Sequence, residues 1–455
     1  MAEWLCSGLQ IRQARFDSGL RLQQAVRPVD STNMTTTATP ISQDASPAAI
    51  TGMLGVRIFL AFASGYFLSY ALRAVNAAIA PLLASDLNLS NSALGWFSSA
   101  YFLAFGIMQI PVGIWLDRYG ARRTESALLL IAALGSLLIA VGQSLWVLFL
   151  GRILIGIGVS ACLMASYSYF RRCYRADQQA RLVMCMLVAG TGGALVAAQP
   201  ALLLAEALGW RHVFSLAAVL LLISALLVFL LTGDYDRQTT TQNTATEEST
   251  SFISLCLHPT MLRAIPPSIL IIGGFVALQT LWVGPWLTQA LKMTAEQASQ
   301  ILLYLNATIL ASYLVMGVLS PWLVKLGASL FKQSAAALLW LALCFTALPL
   351  WQAQSSWILW PLIALAVPAM FLLQTQTALE FPSQVAGRVL TTLNLMIFAG
   401  TFIVQWGLGL ITDLFVAQGY DHTRALTHAL LCLAALQWCS LLWFWIKTPH
   451  GSNRT

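Results

Sequence analysis

Twelve apolar runs, each long enough to cross a lipid bilayer, follow one another along the chain, near 55–82, 93–115, 125–143, 146–169, 182–204, 212–232, 264–290, 298–322, 333–352, 356–379, 389–412 and 425–446. A helix needs about 20 mostly apolar residues to span the hydrocarbon core. Within that core every backbone N–H and C=O must be satisfied inside the segment, so runs of this length are helices. A transmembrane barrel would read as short segments alternating apolar and polar residues, and these runs do not alternate. The expected fold is therefore an all-α membrane protein with twelve transmembrane helices. Composition agrees: 58% of residues are hydrophobic and 9% are charged, against about 25% charged in soluble domains. A soluble globular chain, a disordered chain and a nucleic-acid-binding chain are excluded.

An even number of spans puts both termini on one side. With the termini in the cytoplasm, 19 of the 24 Lys and Arg fall in cytoplasmic segments or, as Arg57 does, at the cytoplasmic start of a span, three fall outside (Arg211, Lys292, Arg424) and two lie deep within spans (Arg73, Arg152). This is the distribution that sets orientation in membranes, and it accounts for the net charge of +7 without a nucleic-acid partner. Residues 1–50 are polar, with a Ser/Thr/Pro-rich run from Ser31 to Pro47, and are expected to be a disordered cytoplasmic tail. They lack the single apolar core of a signal peptide, so no cleavage is expected; translation from Met34 is an alternative start. The polar stretch 233–262 divides a six-helix bundle at 51–232 from another at 263–447, with 448–455 as a second cytoplasmic tail. The eight cysteines (6, 162, 173, 185, 256, 344, 432 and 439) show no ligand spacing and read as small apolar side chains. No metal site, cofactor or catalytic constellation is expected.

The two halves echo each other. Gly-Ile-Trp-Leu-Asp-Arg-Tyr-Gly at 113–120 matches Ser-Pro-Trp-Leu-Val-Lys-Leu-Gly at 320–327, so Trp115, Leu116 and Gly120 recur as Trp322, Leu323 and Gly327 at an offset of 207. Arg181 and Arg388 open spans five and eleven at the same offset, and Ala-Gly-Thr occurs at 189–191 and 399–401. Repeated halves with a substrate site between them are a recurrent architecture of secondary transporters.

These residues resemble the major facilitator superfamily. The strongest signal is Gly113-x-x-x-Asp117-Arg118-x-Gly120-x-Arg122-Arg123 between spans two and three, joined by Arg152-x-x-x-Gly156-x-Gly158 in span four and Gly209-Trp210-Arg211 before span six. The resemblance implies two pseudo-symmetric six-helix bundles and a monomeric carrier. It also implies that Asp117 contacts the start of helix eleven, with Arg388 as a second partner there, when the protein is open outward. Tyr70-x-x-Arg73-x-x-Asn76 is similar to the first helix of the anion–cation symporter branch, in which arginines of helices one and four hold a substrate carboxylate. The corresponding residues here are Arg73 and Arg152. Two carboxylates of that branch are missing, with Leu72 and Val159 in their places.

Read physically, Arg73 is a charge midway along span one, which costs about 2.5–3.5 kcal/mol on insertion scales unless it is hydrated or paired. Glu125, Glu206 and Glu380 are placed at span ends, which leaves Arg73 without a mid-membrane acid. Its planar fork then either receives a carboxylate or phosphate or packs against backbone carbonyls and amides. Tyr66, Tyr70, Arg73 and Asn76 share one helix face, as a cavity lining or as an interhelical seam. Arg152 is a ligand contact or a structural charge. In the second half Gln279, Trp282 and Asn306 are candidates for orienting the uncharged part of a ligand, and Trp286 is expected to anchor at the interface. Gly113, Asp117, Arg118, Gly120 and Arg122 are assigned to a gate. Glu380 and Arg388 flank a second hinge and are expected to pair with Arg171, Arg172 or Asp177.

The expected function is a secondary transporter that moves a small solute, an organic anion, by alternating access. It would act by uniport or by symport with a coupling proton or sodium ion, in the lipid bilayer of a bacterial inner membrane. The alternative is a proton-driven exporter of drugs or metabolites. Exporters of that kind carry Gly-Pro-x-x-Gly-Gly in helix five, where this chain has Ala189-Gly190-Thr191-Gly192-Gly193 without the proline. A sensor would need a signalling domain and an enzyme a nucleophile–base set, and neither is read here.

Overall fold

The computed structural model describes residues 52–174, 176–232 and 252–446. The expected tails at 1–50 and 448–455, and most of the 233–262 linker, lie outside the described residues. Eleven helices there are long and apolar enough to cross a membrane. One of them, Asn91–Val141, has 51 residues, about 77 Å at 1.5 Å per residue and more than twice the hydrocarbon core. It is two spans joined at Gly120, whose φ of 77° and ψ of 167° break the helix. A side chain would be strained at that φ and glycine is not.

The spans, numbered in chain order, are α1 (Gly52–Asp86), α2 (91–119), α3 (121–141), α4 (Leu145–Cys173), α5 (Arg181–Leu208), α6 (Trp210–Leu231), α7 (Pro259–Ala290), α8 (Ala295–Lys325), α9 (Leu330–Leu350), α10 (Gln354–Leu379), α11 (Val385–Ala417) and α12 (His422–Ile446). The fold is two six-helix bundles of this alternating set. Short turns reverse the chain, and side-chain caps close them: Ser90 before α2, Ser144 before α4, Ser329 before α9, and a Thr294–Gln297 capping box before α8. Each cap satisfies an otherwise orphaned N–H at a helix start.

The bundle has two ends, named here for the acids they carry. The Asp117 end holds the 113–123 loop; the Asp413 end holds the turns at 86–91 and 417–422. The halves meet through α1 with α7, α2 with α11, and α5 with α8. Close backbone approach makes these seams. A Cβ on Gly95 of α2 would lie 2.6 Å from the Gln405 carbonyl of α11, and one on Gly106 would press on Phe398. Gly284 of α7 abuts Ala77 of α1, and Gly409 abuts Asn91. Small residues permit such contacts where lipid supplies no hydrophobic drive for helix association. Nearer the Asp117 end, by contrast, Gly113, Gly317 and Gly387 face nothing within 4 Å.

Candidate functional site

Between the halves lies a cavity of about 80 Å³, lined by Tyr70 and Arg73 of α1, Thr191 of α5, Gln279 of α7, and Asn306 and Tyr313 of α8. Arg73 is its cation. The guanidinium carbon lies 4.7 Å from the Tyr70 ring centroid, 5.1 Å from Phe105, 5.7 Å from Phe398 and 6.0 Å from Tyr101. Rings from α1, α2 and α11 thus cage the charge, and each face contributes cation–π attraction. Nε of Arg73 is buried without a hydrogen-bond partner. No carboxylate pairs with Arg73 among the described residues.

Gln279 reaches across the cavity to α8, its Nε2 donating to Oδ1 of Asn306 at 3.0 Å. Asn306 in turn donates to the Leu302 carbonyl at 2.8 Å. These bonds use one N–H of each amide and leave the Gln279 carbonyl oxygen for a further donor.

The sequence placed seven residues at this site, and the fold brings four of them together: Tyr70, Arg73, Gln279 and Asn306. The other three are engaged elsewhere. Asn76 is buried and donates to Ser98 Oγ of α2 at 3.0 Å. Arg152 is 1% exposed, donates to the Leu72 carbonyl at 3.1 Å and lies between Phe97 and Phe214. It holds α4 against α1, α2 and α6. Trp282 is 1% exposed and donates to the Gln405 carbonyl at 3.0 Å, tying α7 to α11.

Helix α7 explains the separation of Gln279 from Trp282. It contains π-helical turns at Ser268–Ile272, Leu278–Trp282 and Trp286–Ala290. A π turn spaces its hydrogen bonds five residues apart and resets the faces that a 3.6-residue period would align. Trp286 is a related correction: it is 1% exposed, packed inside the protein and not anchored at an interface. Thr191, Tyr101, Phe105 and Phe398 were not read as site residues, because no local pattern marks them.

The Asp413 end is closed by a polar clamp across the halves. Asp413 of α11 accepts from the Asn91 backbone N–H (3.1 Å), from Asn91 Nδ2 (3.0 Å) and from the Ser92 N–H (2.8 Å) at the first turn of α2. A carboxylate there meets both the unpaired N–H groups and the positive end of the helix dipole. Beside it, within the first half, Asp86 accepts from Trp210 Nε1 at 3.0 Å and pairs with Arg211 at 2.8 Å.

At the Asp117 end the described contacts of Asp117 and Arg118 lie within their own half. Asp117 is 84% exposed and sits 3.6 Å from Arg172 of its own half. Arg118 lies over the Tyr119 ring, and Arg122 donates to the Phe229 carbonyl of α6 at 2.7 Å. Gly120 forms the bend, and Gly113 faces open space. Arg388 lies in the first turns of α11. Glu380 pairs with Arg263 of α7 at 2.8 Å, not with the arginines expected from sequence. Arg263 is 3% exposed and lies over Phe331 and Phe444, where a paired carboxylate offsets its burial. Arg172 is shared with Asp117, and the side chain of Asp177 lies outside the described residues.

The profile of the Major Facilitator Superfamily matches residues 62–405. The quinolone resistance protein NorB of Staphylococcus aureus (strain JH9) is 25% identical over 150 residues, 33% of this chain and 32% of NorB. The match therefore spans about a third of the length of these curated relatives. Solved structures are similar over most of the chain. A bacterial homologue of the human lysosomal transporter Spinster, inward-facing and unoccupied, has a TM-score of 0.68 at 16% identity, over 88% of this chain and 98% of that one. The nucleoside transporter NupG has a TM-score of 0.68 at 13% identity, over 88% and 100%. The inward-open xylose transporter XylE from E. coli has a TM-score of 0.63 at 15% identity, over 88% and 98%.

Proposed function

The chain belongs to the major facilitator superfamily, and from that premise we propose that this multi-pass membrane transporter carries a small organic anion held by Arg73. The observation that carries the reading is a cavity-facing guanidinium with an aromatic cage and no acid partner among the described residues. A carboxylate or phosphate supplies the missing countercharge bidentately. Tyr70, Gln279 and Asn306 orient the rest of the molecule. Asn76, Arg152 and Trp282 act at one remove, by fixing α1, α4 and α7 around the cavity.

Both termini face the cytoplasm of a bacterial inner membrane in this reading, supported by the Lys and Arg distribution. The Asp117 end is then the inner end. In this reading the present state is closed outside by the Asp413 clamp and open inside, which the 84% exposure of Asp117 supports. Rocking the halves breaks the clamp and closes the inner end, so the cavity alternates between sides. Gly113, Asp117, Arg118, Gly120, Arg122 and Arg388 serve the inner gate, and Glu380 with Arg263 steadies the joint of α7 and α10 beside it. Resemblance to NorB over part of its length supports a second reading, export of drug-like solutes.

A thermal-shift series on the purified protein separates the two. The ligands are small carboxylates, sugar acids, phosphates, neutral sugars and lipophilic cations, with Arg73→Gln run beside the parent. A ligand that binds only the folded state raises stability with its concentration. Anions that stabilise the parent and not the variant support the anion reading. Lipophilic or neutral solutes that stabilise both equally overturn it in favour of export.

A further inference from the structure

Glu125 was placed at a span end by counting, yet it is the one acid wholly buried among the described residues. It lies five residues past the Gly120 bend, and its side chain turns into the core of the first half. Neither carboxyl oxygen has a hydrogen-bond partner. The surrounding groups are small and uncharged. A Cβ on Gly65 of α1 would lie 2.8 Å from Oε1 and 3.5 Å from both Leu129 of α3 and the Ser224 hydroxyl of α6. Ser224 is already engaged with Ser64 at 2.7 Å. From α4 the titratable group facing Glu125 is the Cys162 thiol. Tyr66, next to Gly65 on α1, packs its ring on Tyr70. Arg122, one turn before Glu125 on α3, points to the Phe229 carbonyl and ring.

Such a pocket receives a neutral carboxylic acid. An ionised carboxylate with no adjacent cation and no donor stronger than the Cys162 thiol carries a large desolvation cost. Intramembrane acids in transporters that face no partner are hypotheses for proton sites on physical grounds. The second requirement is an environment that changes during the cycle, and the fold supplies it. The bend at Gly120 joins the loop bearing Asp117 to the first turn of α3, and Thr124, the neighbour of Glu125, donates to the Trp115 carbonyl across that bend at 3.1 Å. Movement of the gate loop therefore moves the helix turn that carries Glu125.

We propose that Glu125 is the proton-binding site of the carrier and that the coupling ion is H⁺. One O–H bond forms on the carboxylate in the present state, with the proton taken from water. It breaks when the bend moves and the carboxylate is hydrated. Coupling to the anion rests on the reading of Arg73 given above. Gly65, against Glu125, and Arg73 are eight residues apart on α1, about 12 Å along the axis. An anion on Arg73 removes the support this cation gives to a carboxylate at Glu125. The sign is symport: a bound anion favours a bound proton.

Infrared difference spectra of the purified full-length protein between neutral and alkaline buffer, a range in which ordinary carboxylates stay ionised, test the site without any substrate. The carbonyl stretch of a protonated carboxylic acid is expected to rise and fall with pH in the parent and in Glu125→Asp, and to be missing from Glu125→Gln. A pH-dependent band that survives Glu125→Gln, or no such band in the parent, overturns the proton site. A melting curve confirms that each variant is folded. The second arm adds gluconate to weakly buffered protein at the pH where the infrared band is half developed and follows a pH indicator. Gluconate that stabilises the parent while causing no proton uptake overturns the coupling. If gluconate and the other anions of the thermal-shift series all fail to bind, the Arg73 reading falls and the infrared result still decides Glu125.

Discussion

Replacing Asp413 by Asn tests whether the clamp at its end of the bundle holds the transporter in the present state. The carboxylate accepts three hydrogen bonds from the first turn of α2, at 2.8, 3.0 and 3.1 Å. Asparagine keeps one acceptor oxygen and turns an amide N–H₂ toward either Ser92 N–H or the Asn91 donors. At least one bond is lost, together with the charge that meets the helix dipole. Hydrogen bonds to charged groups contribute about 1.5–3 kcal/mol and the dipole about 0.3–1 kcal/mol. The site is partly exposed, and water replaces part of what is lost. A net cost of about 1–2 kcal/mol to the closed clamp follows, a factor of about 5–30 in the ratio of the two states. Spin labels on Gln143→Cys and Ala353→Cys, exposed positions of the two halves at this end, report the ratio as a pulsed-EPR distance distribution. In a background cleared of the other cysteines, Asp413→Asn is expected to enlarge the long-distance population, and Asp413→Ala to enlarge it further. If both distributions match the parent while melting shows the proteins intact, the clamp does not set the equilibrium and the reasoning fails.

Three further outcomes follow from local geometry. Arg152→Gln is expected to lower the melting temperature, because its hydrogen bond and ring contacts join four helices, yet to leave any anion-induced stabilisation intact; loss of that stabilisation would move Arg152 into the site. Gly120→Ala is expected to cost about 1–3 kcal/mol, because its φ of 77° with ψ of 167° is a region open essentially to glycine alone, and Gly120→Asn to cost as much, read as the yield of folded protein in detergent; equal yields for parent and Ala would contradict the bend. Removing Glu380 alone strands a buried guanidinium and is expected to cost up to about 3 kcal/mol, below the top of the range for buried pairs because Glu380 is partly exposed. Arg263→Met with Glu380→Leu is expected to recover most of that loss, measured by thermal melting of both variants.

Much of the architecture could be read in the chain because lipid imposes it. Apolar length alone located every span, and the observed helices overrun the apolar runs by a turn or so at their ends. Gly120 was legible as the joint of α2 and α3 because its neighbours form a recognisable loop. The site was legible where a charge had no alternative: Arg73 is costly in a span unless something receives it. Spacing was a weaker guide for Trp282, since the π turn at 278–282 breaks the assumed period, and for Asn76, whose partner Ser98 belongs to another helix. Glu125 shows that position along a helix is not burial; five residues past a bend, its side chain still reaches the core of the half. The Asp413 clamp joins residues more than 320 positions apart, a pairing that no local pattern announces.

The glycines divide according to what surrounds them, and the division amounts to a mutational record of a conformation that is not present. Gly95, Gly106, Gly284 and Gly409 touch the opposite half, so any side chain there is penalised in the state seen here. A Cβ on Gly113, Gly317 or Gly387 would meet nothing within 4 Å, so alanine at these helical positions clashes with nothing and gains propensity while this state persists. If the halves must meet there when the cycle reverses, the same alanines will leave folding untouched and slow turnover. A substitution scan that scores abundance and transport separately would then map the second closed surface from positions silent in the first score and damaging in the second, without a structure of that state.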